Sequence, residues 1–392
     1  MKKIIFVSLL FFIVVYYFCR EDIYTFQFWD KIIHENNKDF KNDTKIYKKK
    51  KYQLIKNKDV KTIVNEFDER LTKEVQNISS NFEIYDEKAY NQPIYFQKIK
   101  IPDNSKVVII GDIHSSLHSL FEILSLQRKY FSNNFTLKEN HYIIFLGDFL
   151  DRGPYSIEIL VLIFILKLKN FKNVYITQGN HENIDTNSAF GFKEELYNQI
   201  HENTHELFLK VNSVLNKLPE AIFVQYKNQF FMCCHGVFDV EKNYTYIKKF
   251  LQSENKYLLQ KSLKGGEISG YKWNDINMNI SMNTRNKRNT TDISESEILK
   301  YFEQTGISKI FKGHQDLEPC NICVVSGKEN KYNLLLSKKY SQQKLYNPKQ
   351  YTFDFFDKDL LAFITSTATQ SKNVEMTSFL EIANQEIKVH LI

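Results

Sequence analysis

Short apolar runs along this chain end, again and again, on a glycine beside a polar residue. Val107-Val108-Ile109-Ile110 leads into Gly111-Asp112, and Ile143-Ile144-Phe145-Leu146 into Gly147-Asp148. Val174-Tyr175-Ile176 leads to Gly179-Asn180, Phe230-Phe231-Met232 to His235-Gly236, and Ile310-Phe311 to Gly313-His314. Runs of this length bounded by turn residues predict buried strands. Between them the period changes. Residues 117–126 and 156–168 predict helices, and 194–218 predicts one or two more. Residues 156–168 are strongly apolar but too short to span a bilayer, so they belong to a core. Strands return at 351–356, 360–365 and 377–382. Alternation of strand and helix predicts an α/β fold with parallel pairing. Ligands in such sheets gather beyond the carboxyl ends of the strands, so the five strand ends predict one convergent site.

Upstream, the pattern is different. Lys2-Lys3 precede an almost wholly apolar run from Ile4 to Cys19, broken by Ser8. This resembles a secretory signal peptide or an uncleaved signal anchor, with no A-x-A cleavage signature after it. It predicts entry into the secretory pathway, the protein being secreted, luminal or attached to a membrane through residues 4–19. Residues 21–95 form a polar extension with a basic run, Lys48-Lys49-Lys50-Lys51, read as a solvated linker face or a contact to anionic headgroups. Within it, Val60, Ile63, Val64, Phe67 and Leu71 have helical spacing, so 59–75 predicts a helix packed on the rest. The remainder, 96–392, is one domain carrying polar insertions near 241–300 and 317–350.

Composition changes this picture little. The 392 residues are 43% hydrophobic and 25% charged, with a formal net charge of +7. No Lys/Arg stripe interleaved with aromatics is present, so no nucleic-acid partner is expected. N-x-[ST] sequons begin at Asn42, Asn77, Asn134, Asn243, Asn279 and Asn289, a number that so Asn-rich a chain could reach by accident. Cys320 and Cys323 form a lone C-x-x-C. It lacks the further ligands of a zinc site, leaving a local disulfide or plain thiols.

The chemistry lies in the strand-end residues. Imidazole and carboxylate ligands together suit Mn, Fe or Zn. Asp112, His114 and Asp148 could hold one ion; Asp148, Asn180, His235 and His314 could hold a second. A carboxylate shared by two ions sets them about 3.5–4 Å apart and acidifies a water between them. Arg152, beside Gly153-Pro154, offers a fork that matches phosphate oxygens. His181 could protonate a leaving oxygen, with Asp151 to orient it. Glu182 is read as a structural hydrogen-bonding group, and Asp275 as a brace for Arg152 or a plain loop carboxylate.

In this order, GDIH (111–114), GDFLDRG (147–153), GNHE (179–182), His235-Gly and Gly-His314 resemble the motif set of the calcineurin-like metallophosphoesterases, over residues 96–385. The DRG points to the phosphoprotein phosphatase branch, the serine/threonine phosphatases. The resemblance implies a β-sandwich flanked by helices in α/β/β/α layers. It implies two divalent ions held by Asp112, His114, Asp148, Asn180, His235 and His314, and in-line attack by a metal-bridging hydroxide on a phosphoprotein substrate. Arg152 falls on the phosphate-binding Arg, and Asp151 with His181 on the leaving-group pair. Trp273-Asn274-Asp275 resembles the Trp-Asp element that precedes a second phosphate-binding Arg, for which Arg285 is the best match and Arg288 the next. The sequence departs from the family at Ser115-Ser116, Gln178 and Asn286, and at Ser366-Thr367-Ala368-Thr369, where the C-terminal loop lacks its Tyr. Two other readings stand beside this one: a nucleotide or dinucleoside-polyphosphate hydrolase of the same fold, and a catalytically silent, membrane-tethered binding protein.

Overall fold

The structure is a computed structural model that describes residues 23–35, 54–78, 82–84, 95–259, 269–287, 289–315, 320–324, 349–365 and 377–392. The N-terminal apolar run, the basic run at 48–51, Arg288, most of the 317–350 insertion and the 366–369 loop lie outside the described residues.

The described strands form two large sheets and one small one. The larger has the order β1 (Phe82–Ile84), β8 (Tyr257–Leu259), β2 (Tyr95–Lys100), β6 (Ala221–Tyr226), β7 (Gln229–Cys234), β12 (Ile307–Lys312), β15 (Leu360–Thr365) and β13 (Cys320–Val324). The other has the order β14 (Lys349–Asp354), β17 (Glu386–Leu391), β16 (Ser378–Ala383), β3 (Lys106–Ile110), β4 (His141–Phe145) and β5 (Val174–Ile176). β3, β4 and β5 run parallel, as do β7 and β12.

Alternation along each strand explains the layers, because successive side chains point to opposite faces. Val107 and Ile109 of β3 share a core with Ile144 of β4, Ile222 and Val224 of β6, and Phe231 of β7. That core lies between the two sheets. Val108 and Ile110 face the other way, into helices Asn57–Ile78, Leu117–Leu126, Ser156–Lys169 and Thr204–Leu215. On the far side, Met232 and Cys234 of β7 pack with helices Thr245–Gln252 and Glu295–Thr305. The sandwich flanked by helices, expected from the strand-end motifs, is present.

The predicted helices appear at Leu117–Leu126, Ser156–Lys169 and Asn57–Ile78, and 194–218 overlaps Phe192–Gln199 and contains Thr204–Leu215. Within the polar stretch 241–300, the described residues supply β8, helices Thr245–Gln252 and Gly270–Trp273, the start of Glu295–Thr305, and a small sheet of β10 (Thr284–Arg285), β11 (Thr291–Ile293) and β9 (Asp275–Ile276). The polar extension also contributes to the core. Helix Phe26–Glu35 buries Phe26 against Phe121, Phe131 and Phe135, with ring centroids 6.1, 5.5 and 4.1 Å apart. Phe67 stacks on Phe164 at 3.9 Å, and Asp68 pairs with Lys210 and Lys217. Phe26→Ala and Phe67→Ala should each cost about 3–5 kcal/mol of stability, the usual range for a buried Phe. Urea titration checks this; unchanged midpoints would show that the extension is a detachable arm.

Candidate active site

Each motif turn carries a polar side chain past the end of its strand and back toward a common point. The backbone is held in unusual shape there. His114, Ser115, Asp148, Asp151, Arg152 and His314 all have φ between 44° and 69°. Non-glycine residues in that region cost of order 1–3 kcal/mol each and cluster at functional sites. The turns lock one another: Ile113 and His114 both donate to the Asp148 carbonyl at 3.0 Å. Close approach requires the motif glycines, Gly147 and Gly313 among them. A Cβ at Gly147 would stand 2.4 Å from the Gly179 nitrogen, and one at Gly313 would stand 2.1 Å from Asp112 Oδ1.

Asp112, His114, Asp148, Asn180, His181, His235 and His314 are all buried. Two groups among the described residues could hold a metal ion: Asp112 with Asp148 and His235, and Asp148 with His114 and His181. Asp148 belongs to both. His235 Nδ1 lies 3.0 Å from the Leu146 carbonyl, which fixes that nitrogen as the donor. Its Nε2 then meets two oxygens, Asn180 Oδ1 at 2.9 Å and Asp148 Oδ2 at 3.1 Å. His114 is set the same way, Nδ1 on the Leu150 carbonyl at 3.2 Å and Nε2 3.7 Å from Asp148 Oδ2. Imidazole nitrogens and carboxylate oxygens thus converge where only a positive charge satisfies both. Without an ion, a proton serves. Burial opposes it, but Asp148 and Asp112 push His235 up to about 9. Burial likewise raises Asp148, yet His235, His181 and His114 hold it well below the usual carboxylate range. The donor set fits divalent cations.

His314 joins this cluster through its backbone, which donates to Asp112 at 3.1 Å. Its Nδ1 is held by Asp275 Oδ1 at 2.9 Å, leaving Nε2 for an ion. Asp275 therefore braces His314. Lys312, fully buried, stands 3.6 Å behind Asp275 and donates to the Gly313 carbonyl. Neither contact was legible in sequence, because Asp275 arrives from the small sheet of the polar insertion. Carboxylates that orient a ligating His are worth 10–100-fold in metal affinity. Asp275→Ala should weaken binding of one ion by roughly that factor, read by competition with a chelating dye. Unchanged affinity would place His314 outside the ligand set.

Beside the cluster sits a second arrangement. His181 Nδ1 is 2.8 Å from Asp151 Oδ2, and its backbone donates to Asp148 Oδ1 at 2.8 Å. Asp151 Oδ1 accepts from Phe192 N at 2.9 Å, and burial, offset in part by His181, raises its pKa. With its amide turned to satisfy both partners, buried Asn187 reaches the His181 carbonyl at 2.7 Å and Asp151 Oδ2 at 3.1 Å. Arg152 donates to His181 Nε2 at 3.2 Å. A guanidinium against that nitrogen favours a proton-transfer role over metal ligation for His181. Glu182 is structural, accepting from Asp148, Phe149 and Gly179 backbone nitrogens at 2.7, 3.1 and 2.9 Å. Gln178 donates to the Glu182 carbonyl at 2.9 Å. Arg285 lies on exposed β10, with Nε 3.5 Å from the Asn289 carbonyl; no contact with the cluster is described for it. Cys323 is a buried free thiol.

Comparison with known proteins places these features in context. Residues 105–316 match the family model for calcineurin-like phosphoesterases. The serine/threonine-protein phosphatase 6 catalytic subunit of Caenorhabditis elegans is 34% identical over 137 residues, 35% of this chain and 37% of that protein. Serine/threonine-protein phosphatase 5 of Arabidopsis thaliana is 33% identical over 113 residues, 29% of this chain and 20% of that protein. The alignments thus span well under half the length of these relatives. In structure, the chain is similar to a protein serine/threonine phosphatase from Saccharomyces cerevisiae, with a TM-score of 0.55, 15% identity and 84% of each chain covered. That likeness concerns the fold.

Proposed function

This chain belongs to the calcineurin-like phosphoesterase family, and from that premise we propose that it is a metal-dependent protein serine/threonine phosphatase. The observation that carries the reading is Asp148, one carboxylate common to two buried ligand groups, with Arg152, His181 and Asp151 at its edge. In this reading Asp112, His114 and Asp148 hold one divalent ion, and Asp148, Asn180, His235 and His314 the other. The ions, when bound, supply Lewis acidity toward a phosphoryl oxygen and lower the pKa of a water.

The chain's own residues do the rest. Arg152 holds phosphate oxygens through its fork, and Arg285 is the second cation assigned to that task. A phosphate that draws the guanidinium away leaves His181 Nε2 to carry the proton for the leaving oxygen. Asp151 keeps Nδ1 protonated and the ring aimed. The DRG turn and the Trp273-Asn274-Asp275 element favour a phosphoprotein over a dinucleoside polyphosphate. Side-by-side turnover of a phosphoserine peptide and diadenosine tetraphosphate tests this choice. The phosphopeptide is expected to be the better substrate by kcat/KM; the reverse order would assign the chain to nucleotide cleavage.

For the compartment, Lys2-Lys3 and the apolar run Ile4 to Cys19 support entry into the secretory pathway, with membrane attachment if the run is retained. A full-length fusion that stays in the cytosol and carries no glycan would contradict this.

A further inference from the structure

β3 has a second end. The metal cluster begins at Asp112, while Lys106 opens the strand roughly 20 Å away at 3.3 Å per residue. There a polar cavity of about 510 Å³ is lined by residues of β16, β17 and the 126–130 segment. This is within the range of small-molecule sites.

Strand register builds its wall. Phe379 stands opposite His390, and Glu381 opposite Lys388. All four line the cavity, with Lys106 and Lys129. The Phe379 and His390 rings stack at 4.3 Å and 2°. Lys106 is committed to Glu381 at 2.6 Å and to the Tyr130 hydroxyl at 3.1 Å. The cavity's carboxylate is therefore already matched, while Lys129 and Lys388 add further positive charge. Lys129 lies over the Tyr130 ring at 5.0 Å, and Lys388 reaches Glu386 at 3.3 Å on the exposed rim. His390 Nε2 is buried with no hydrogen-bond partner, Glu381 standing 3.7 Å off. Buried polar atoms in native proteins are nearly always paired. The positive field is felt locally: burial raises the Tyr130 phenol, but Lys106 and Lys129 bring it below its ordinary pKa.

We propose that this cavity binds a small organic phosphate, its phosphate held by Lys129 and Lys388 and its organic part lying against the His390 ring, which Phe379 backs. A flat ring continues the existing stack and can offer His390 Nε2 a partner. Lysines of this kind bind phosphate as point charges. The site is separate from the metal cluster, so it provides a place for a metabolite distinct from the substrate.

The test is calorimetric titration of the full chain with a phosphonate analogue of AMP that cannot be hydrolysed, with inorganic phosphate and with adenosine. Lys129→Glu/Lys388→Glu should weaken binding of the analogue at one site at least tenfold and leave kcat/KM on p-nitrophenyl phosphate within twofold. Lys129→Arg/Lys388→Arg should retain binding. Inorganic phosphate binding at the same site, weaker than the analogue, supports both halves of the assignment. Adenosine binding as tightly as the analogue would overturn it, and so would charge reversal without effect. A melting temperature for each variant matching the unsubstituted chain shows that loss of binding is not loss of fold.

Discussion

Asp148→Asn is expected to lower turnover of a phosphoserine peptide by about a thousandfold or more. The carboxylate lies in both ligand groups, so its loss strikes both ions at once. Bound metal is worth several kcal/mol of transition-state stabilisation, and ~4 kcal/mol is roughly a thousandfold in rate. Asn keeps the shape but loses the charge that faces His235 at 3.1 Å and His114 at 3.7 Å. Metal content should fall with activity, and added Mn should restore part of both. Full activity in this variant would remove Asp148 from the centre of the account. Activity lost with metal content intact would make it a group that acts on substrate instead.

His181→Ala should have the second largest effect, and its signature is a dependence on leaving group. Loss of a general acid costs about 10²–10⁴-fold where the leaving oxygen needs a proton. A serine alkoxide needs one; nitrophenolate does not. The loss on a phosphoserine peptide should therefore exceed the loss on p-nitrophenyl phosphate by at least tenfold, with metal content unchanged. The geometry admits a competing role, because His181 also falls within ligand reach of His114 and Asp148. Equal losses on both substrates, with one ion gone, would assign His181 to the metal. The Arg152 contact at 3.2 Å and the Asp151 contact at 2.8 Å are the reasons for expecting the first result.

Much of this site is legible in the amino-acid sequence because its elements are local. An apolar strand, a glycine and a ligand within about four residues form a pattern that neighbouring positions specify. Gly147 and Gly313 show why the glycines are part of it: a neighbouring turn occupies the space a Cβ would need. The burial of β3 was legible for the same reason, as Val107, Val108, Ile109 and Ile110 form one apolar run, and both its faces are covered. What escaped the sequence depends on contacts between distant segments. Asp275 reaches His314 across 39 positions, and Asn187 joins Asp151 only after the helix Ile184–Ala189 folds back. Helix Phe26–Glu35 sits in a polar, Lys-rich stretch, and its burial is decided by the aromatic pocket of Phe121, Phe131 and Phe135. β2, β6 and β17 were also missed. Phe96-Gln97-Lys98 mixes polar and apolar positions, and pairing with β6 and β8 makes it a strand.

In the proposed reading, two ions on one shared carboxylate together perform phosphoprotein hydrolysis. The measurement that tests it most directly is phosphoserine-peptide turnover against bound metal per chain, titrated from chelated protein. No turnover is expected without metal, and the rise should be complete only as the second ion binds. Turnover that persists in metal-free protein, or is complete with one ion, would contradict it.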